Sequence, residues 1–177
     1  MMKSRDSIFV KRYYFPCGEL MFGSYGENLC LCRWVDCKNQ RLIDYRLQRT
    51  LSARFVENGT NDVIEMARQQ LNDYFWNKSR EFDVPMLFVG TDFQKSVWSE
   101  LLTIPYGNTV SYGDIAQRLG DPETARAVAN ACALNAINII VPCHRVVGND
   151  GNLKGYSGGL QKKEYLLDME QRILLSE

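Results

Sequence analysis

The chain has 177 residues, 45% hydrophobic and 24% charged, the composition of an ordinary globular protein of one large or two small domains. Its formal net charge is zero, which argues against a protein that holds nucleic acid chiefly by bulk electrostatics but leaves a local basic patch open. No apolar run is long enough to span a bilayer, and the opening MMKSRDSIFVKRYYF lacks a signal-type apolar segment, so a cytoplasmic protein without a membrane partner is expected.

Residues 8 to 48 read as short strands, SIFVKRYYF, GELMFGSY, NLCLCRWV and RLIDYRL, separated by Gly, Asn and charged residues. Cys30 and Cys32 alternate within NLCLCRW, as core residues on one strand face would. Together with Cys17 and Cys37 they lack paired C-x2-C spacing and have no histidine nearby, so reduced thiols and no metal are expected. From Asn61 to Trp76 the period turns helical, with Val63, Ile64, Ala67, Leu71, Tyr74 and Phe75 at spacings of three and four. NKSREFDVP then interrupts, and a crossing segment near Arg80 to Gly90 marks a boundary. The expected division is an N-terminal α/β domain over 1–82, a linker over 83–91 and a C-terminal domain over 92–177.

Beyond the boundary, FQKSVWSELLTI places Phe93, Val97, Leu101 and Ile104 on one helical face. Pro105-Tyr106-Gly107-Asn108 predicts a turn, and Ser111-x-x-Asp114 a capping box opening a helix through Leu119. Gly120 stops that helix, and Asp121-Pro122 supplies the cap and first position of the next, which runs to about Leu134. Two helices joined this way form a helix-turn-helix candidate. On the second, Ala125, Val128 and Cys132 share a core-facing side, whereas Arg126, Ala129, Asn130 and Ala133 gather opposite. Small residues around one long cation suit tight helix packing, and equally a helix pressed into a DNA groove with Arg126 as a probe.

The stretch VPCHRVV sets Cys143 beside His144, the only histidine of the chain. A nucleophilic thiol needs its pKa lowered by a base or a positive charge, and His144 and Arg145 are the nearby candidates. Neighbouring side chains of an extended strand point to opposite faces, so direct contact between the two is not expected.

With PCHRV at Pro142 to Val146, FQKSVWSELLTIPYGNTVSY, TARAVANACALN and GYSGGLQKKEYLLDME in order, the chain resembles the O6-alkylguanine-DNA alkyltransferases, or methylated-DNA–protein-cysteine methyltransferases. The likeness covers residues 92 to 172, and FPCGEL and QQLNDYF extend it more loosely toward the N-terminus. It implies an α/β fold, with a small strand-and-helix domain followed by a mostly helical domain carrying a winged-helix-like helix-turn-helix. It implies DNA repair by direct reversal: Cys143 takes the alkyl group from O6 of guanine, or less readily O4 of thymine, once per molecule and without a cofactor. In the resemblance a water bridges Cys143 to His144, and Glu170 orients the imidazole, the logic of a hydrolase triad.

Asn135 falls on the family's hinge position, and Tyr112 on the tyrosine that helps protonate the departing base. Val146, through its carbonyl, and Ser157, through its amide, match groups that read the guanine edge, with Tyr156 lining the same pocket. Tyr112, Gly113, Arg126 and Ala127 fall on DNA-binding positions, Arg126 on the arginine that fills the stack when the base is flipped out. The implied partner is double-stranded DNA approached through the minor groove by a monomer. Cys17 and Asp121 depart from the family pattern, and the zinc-binding histidines of some members are absent. Two rivals differ in chemistry. A lesion sensor would lack the cysteine of this motif, and a cysteine hydrolase would turn over acyl substrates without needing Arg126.

Overall fold

SIFVKRYYF, dense in β-branched and aromatic residues, builds strand β1, Ser7–Phe15, which turns back into β2, Gly18–Tyr25, and then β3, Asn28–Trp34. The computed structural model describes residues 6–177, which form two compact units, one ending at Val89 and one running from Gly90 to Glu177. In the first unit a short β4, Arg54–Glu57, completes a sheet of order β3-β2-β1-β4, with β4 parallel to β1 and the other neighbours antiparallel. Both faces of β3 are covered from Leu29 to Trp34, which puts Cys30 and Cys32 in the core on a strand buried on both sides. Among the described residues no disulfide links the cysteines.

RLIDYRL, expected as a strand, belongs to helix α1, Gln40–Leu51. Ile43 and Leu47, four apart, are its buried residues, while Tyr45 between them is 59% exposed. A strand would place all three on one face, so the core selects period 3.6 over period 2. Helix α2, Asp62–Phe75, is capped by Asn61, whose side chain accepts from the Ile64 amide, and it lies across β1, β2 and β3. Its buried stripe is Val63, Ile64, Ala67, Leu71, Tyr74 and Phe75.

The second unit is mostly helical. Helix α3, Asp92–Leu101, opens with a Thr91–Gln94 capping box and buries Val97, Trp98 and Leu101. Ile104 is buried in the turn beyond it. Strand β5, Val110–Ser111, leads into α4, Tyr112–Arg118, through the Ser111–Asp114 capping box. Gly120 then takes a left-handed φ of 92°, which glycine alone adopts without cost, and the chain reverses. Asp121 caps a 3-10 turn, Pro122–Thr124, that runs into α5, Ala125–Ala133. The α4 and α5 helices pack on each other and α3 packs on α5, where the Trp98 indole N–H donates to the Ala131 carbonyl at 2.9 Å. A two-residue β6, Val146–Val147, pairs in parallel with β5, and α6, Leu160–Leu175, closes the unit. No helix among the described residues is long and apolar enough to cross a membrane.

Candidate active site

The site is built on the chain between α5 and β6. Cys143–Arg145 form a 3-10 turn rather than an extended strand, held by the Arg145 amide donating to the Pro142 carbonyl at 3.0 Å. With about three residues per turn, successive side chains fan apart instead of alternating, so Cys143 and His144 leave the turn in different directions. Just upstream, Ile139 is held at φ 68° although its side chain is β-branched and fully buried. Such a conformation costs on the order of 1–3 kcal/mol and persists only where surrounding contacts enforce it.

Asn135 supplies that enforcement. Its Oδ1 accepts from the Ile137 amide at 2.9 Å, and its Nδ2 donates to the Val141 carbonyl at 3.0 Å and to Cys143 Sγ at 3.3 Å. One buried carboxamide therefore ties the end of α5 to the thiol. Asn138, also buried, donates to the Asn135 carbonyl at 3.4 Å and lies 3.8 Å from the same sulfur.

Behind the turn, His144 Nε2 and Glu170 Oε1 are 2.8 Å apart, both side chains fully buried. Glu170 also accepts from Arg145 Nε at 3.0 Å, from Arg145 Nη2 at 2.8 Å and from the Gly107 amide at 3.0 Å. Arg145 Nη1 donates to the Ile104 carbonyl at 2.7 Å. Gly107 is needed for its φ of 78°; a Cβ there would in addition press the tip of the half-buried Leu174 side chain aside.

The protonation states follow from this geometry. Burial pushes the Glu170 carboxyl up, but the bonds and charges of His144 and Arg145 outweigh it and hold the group well below the usual carboxylate range. Burial holds the His144 pKa below its ordinary value even though Glu170 opposes it, so the imidazole is neutral at neutral pH. The proton then sits on Nε2, donated to Glu170, and Nδ1, buried without a hydrogen-bond partner among the described residues, is the ring's remaining acceptor.

The thiol departs from expectation. Burial pushes Cys143 above its ordinary pKa, and Asn135, Lys163 and Asn138 only partly offset that rise. Sequence reasoning expects a lowered value because it counts charges nearby and cannot count the water lost on burial.

Lys163, fully buried on α6, donates to the Val146 carbonyl at 2.6 Å and the Lys154 carbonyl at 3.1 Å. The Val146 carbonyl thus carries an ammonium on one lone pair, which leaves one for another donor. The Lys163 ammonium also stands 5.9 Å from the centroid of the Tyr112 ring. Tyr112, half-buried at the start of α4, keeps its phenolic proton: burial raises its pKa strongly, and Cys132 and Cys143 add to the effect. Gly113 follows it, where a Cβ would press within 2.9 Å of Asn149 Oδ1. Tyr156 and Ser157 are buried ahead of α6, the Ser157 hydroxyl without a hydrogen-bond partner among the described residues. Arg126 and Ala127 lie exposed at the start of α5.

The fold therefore brings Asn135 onto Cys143, Glu170 onto His144 and Lys163 onto the Val146 carbonyl, and puts Tyr112 within electrostatic reach of the sulfur. Arg126 and Ala127 stay outside it, on a solvent face. Sequence reasoning missed Asn138, Lys163, Gly107 and the clamp made by Arg145. One signal was available for Lys163: with Leu166, Leu167 and Glu170 it falls on a single helical stripe, where a charged residue is out of place unless paired. Among the described residues no group of three or more His, Cys, Asp or Glu is placed to hold a metal ion.

A buried thiol, a neutral imidazole and an ion-paired carboxylate on a mixed α/β scaffold are the groups from which a cysteine-nucleophile site is built. The family model for the 6-O-methylguanine DNA methyltransferase, DNA binding domain, matches residues 92–172. A methylated-DNA–protein-cysteine methyltransferase of Mycobacterium leprae is 41% identical over 161 residues, 91% of each chain. One from Mycobacterium bovis is 55% identical over 105 residues, 59% of this chain and 64% of that relative, so the match spans less than two thirds of its length. The crystal structure of Mycobacterium tuberculosis OGT in complex with DNA shares the fold at a TM-score of 0.79 and 39% identity, over 94% of this chain and 93% of that one. The chain belongs to the methylated-DNA–protein-cysteine methyltransferase family.

Proposed function

We infer that this protein repairs alkylated DNA by moving the alkyl group from O6 of guanine, and less readily from O4 of thymine, onto Cys143. The observation that carries the reading is the buried sulfur of the PCHRV turn, with Asn135 on one side and the His144–Glu170 pair behind it. His144, through Nδ1, takes the thiol proton by way of a bridging water, and Glu170 holds the ring in the tautomer that allows it. The thiolate attacks the alkyl carbon, the carbon–O6 bond breaks and its electron pair stays with the base. Tyr112 donates a hydrogen bond to the departing base anion and helps its protonation. The proton that His144 took from the thiol is the one that neutralises the base, so the phenol ends the step protonated. The product is a thioether, which has no carbonyl for water to attack, so each molecule acts once.

DNA handling belongs to the C-terminal domain, residues 92–177, joined by the 83–91 linker to the 1–82 domain. The α4–α5 pair beside the short β5–β6 pairing supports a winged-helix-like arrangement. Arg126, with Ala127 beside it on an exposed, small-residue face, suits entry through the minor groove as the damaged base is flipped out. Tyr112 and Gly113 would contact the backbone there, and Val146, Tyr156 and Ser157 would read the extruded base. The protein acts as a cytoplasmic monomer without cofactor or metal. Mixing the full chain with an O6-methylguanine oligonucleotide should add one methyl mass, located on the Cys143 peptide, and then stop. Repeated turnover, or label on Cys132, would sink the reading.

A further inference from the structure

We propose that Asn138 is a second hydrogen-bond donor to the reacting sulfur and that, with Asn135, it forms a two-amide cradle that makes Cys143 reactive. The proposal rests on Cys143 being the alkyl acceptor. Asn138 is fully buried three residues after Asn135, in the strained stretch that carries Ile139 at φ 68°. Its Nδ2 lies 3.8 Å from Cys143 Sγ and 3.4 Å from the Asn135 carbonyl. The Asn135 carbonyl can only accept, which fixes the amide with its NH2 edge toward that carbonyl and the sulfur beside it.

The other end of the side chain makes a purely structural role a poor explanation. Asn138 Oδ1 is buried with no hydrogen-bond partner among the described residues. An unpaired buried carbonyl costs stability, and an apolar residue of similar size would avoid that cost. Asn135 differs, because both ends of its amide hold backbone. What Asn138 contributes faces the thiol.

A donor matters here because the sulfur is otherwise poorly served. The titratable groups felt around it are Tyr112 from α4, Cys132 from α5 and Lys163 from α6; His144, the next residue of its own turn, faces Glu170. Lys163 spends its nearest contacts on the Val146 and Lys154 carbonyls. The side-chain donors at hydrogen-bond distance from Sγ are the two amides. Each gains strength when the sulfur becomes an anion, since hydrogen bonds to charged acceptors are roughly twice as strong as neutral ones.

The test uses the full chain and two variants of opposite volume change, Asn138→Ala and Asn138→Leu. Iodoacetamide labelling of the Cys143 peptide, read by mass spectrometry across pH, gives the thiol titration without DNA. Both variants should move the midpoint upward by about half a unit to one unit. Methyl transfer from O6-methylguanine DNA at neutral pH should slow by about three- to tenfold in step with it. A wild-type profile in either folded variant overturns the proposal, and so do shifts of opposite sign, which would report packing. If leucine prevents folding, as judged by circular dichroism, the alanine variant decides alone. A wild-type chain that labels with iodoacetamide but takes no methyl from DNA refutes the alkyl-transfer reading, and the pH profile still decides the role of Asn138.

Discussion

Glu170 accepts hydrogen bonds from His144, Arg145 and the Gly107 amide while its own side chain is cut off from water. The same carboxylate therefore orients the imidazole and neutralises a guanidinium that is itself buried. Breaking such a pair from one side leaves an uncompensated charge and costs about 3–5 kcal/mol. A relay role alone would let Glu170→Gln keep its fold. The geometry predicts instead a large drop in the denaturation midpoint, along with slower methyl transfer. A variant with wild-type stability would show that Arg145 finds another partner. Gly107→Ala should perturb the same group from the backbone side, because it strains a φ of 78° that an L side chain rarely adopts. Loss of stability by about 1–3 kcal/mol is expected, measured in urea.

Helix α5 joins two environments. Its inner face buries Val128, Ala131 and Cys132 against the unit's core, and its C-terminal end feeds Asn135 into the thiol site. Its outer face carries Arg126 and Ala127 into solvent. A residue placed that way should act on DNA geometry and leave the sulfur chemistry alone. Holding a base outside a duplex costs a few kcal/mol in unstacking and lost pairing, which a guanidinium in the gap can offset. Arg126→Ala should therefore slow repair of duplex O6-methylguanine severely while the reaction with free O6-methylguanine base stays near the wild-type rate. Cys143→Ala should abolish both and retain DNA binding. Equal slowing of the duplex and free-base reactions would return Arg126 to a role in packing.

Across the whole molecule, buried titratable groups set a window of pH stability. Burial holds His144 below its ordinary value, and Glu170 is held low by its partners. For both, the unfolded chain binds protons that the native state refuses, so stability is full above the ordinary pKa and falls as pH drops. The losses should begin near pH 6.5 for the imidazole and add near pH 4.3 for the carboxyl, to about the ordinary values of those groups. On the alkaline side the sign reverses. Burial pushes Cys30 up to about 12 and also raises Cys32, Cys132 and Cys143. Their contribution is full below the ordinary thiol value of about 8.5 and is lost as pH rises through the folded values. Thermal unfolding against pH should show a plateau between about 6.5 and 8.5 with a fall on either side. Stability that rose from pH 7 to pH 5 would contradict the neutral, buried imidazole.

The amino-acid order alone located what is local or periodic. The Ser111–Asp114 capping box, the Gly120 stop, the α2 stripe and the strand at SIFVKRYYF depend on neighbours a few residues apart, and each was legible. PCHRV likewise singled out Cys143 and His144. Local pattern failed at α1, where Ile43, Tyr45 and Leu47 fit either period until the core chose which of them to bury. It failed again at the thiol, where neighbouring charges predicted a lowered pKa and burial raised it. The family resemblance already implied Glu170 beside His144; only the tertiary structure put Glu170 against Arg145, Gly107 against Glu170, Lys163 on the Val146 carbonyl and Asn138 at the sulfur. Desolvation and long-range hydrogen bonds depend on which distant segments exclude water from a point, and no short window of sequence contains that information.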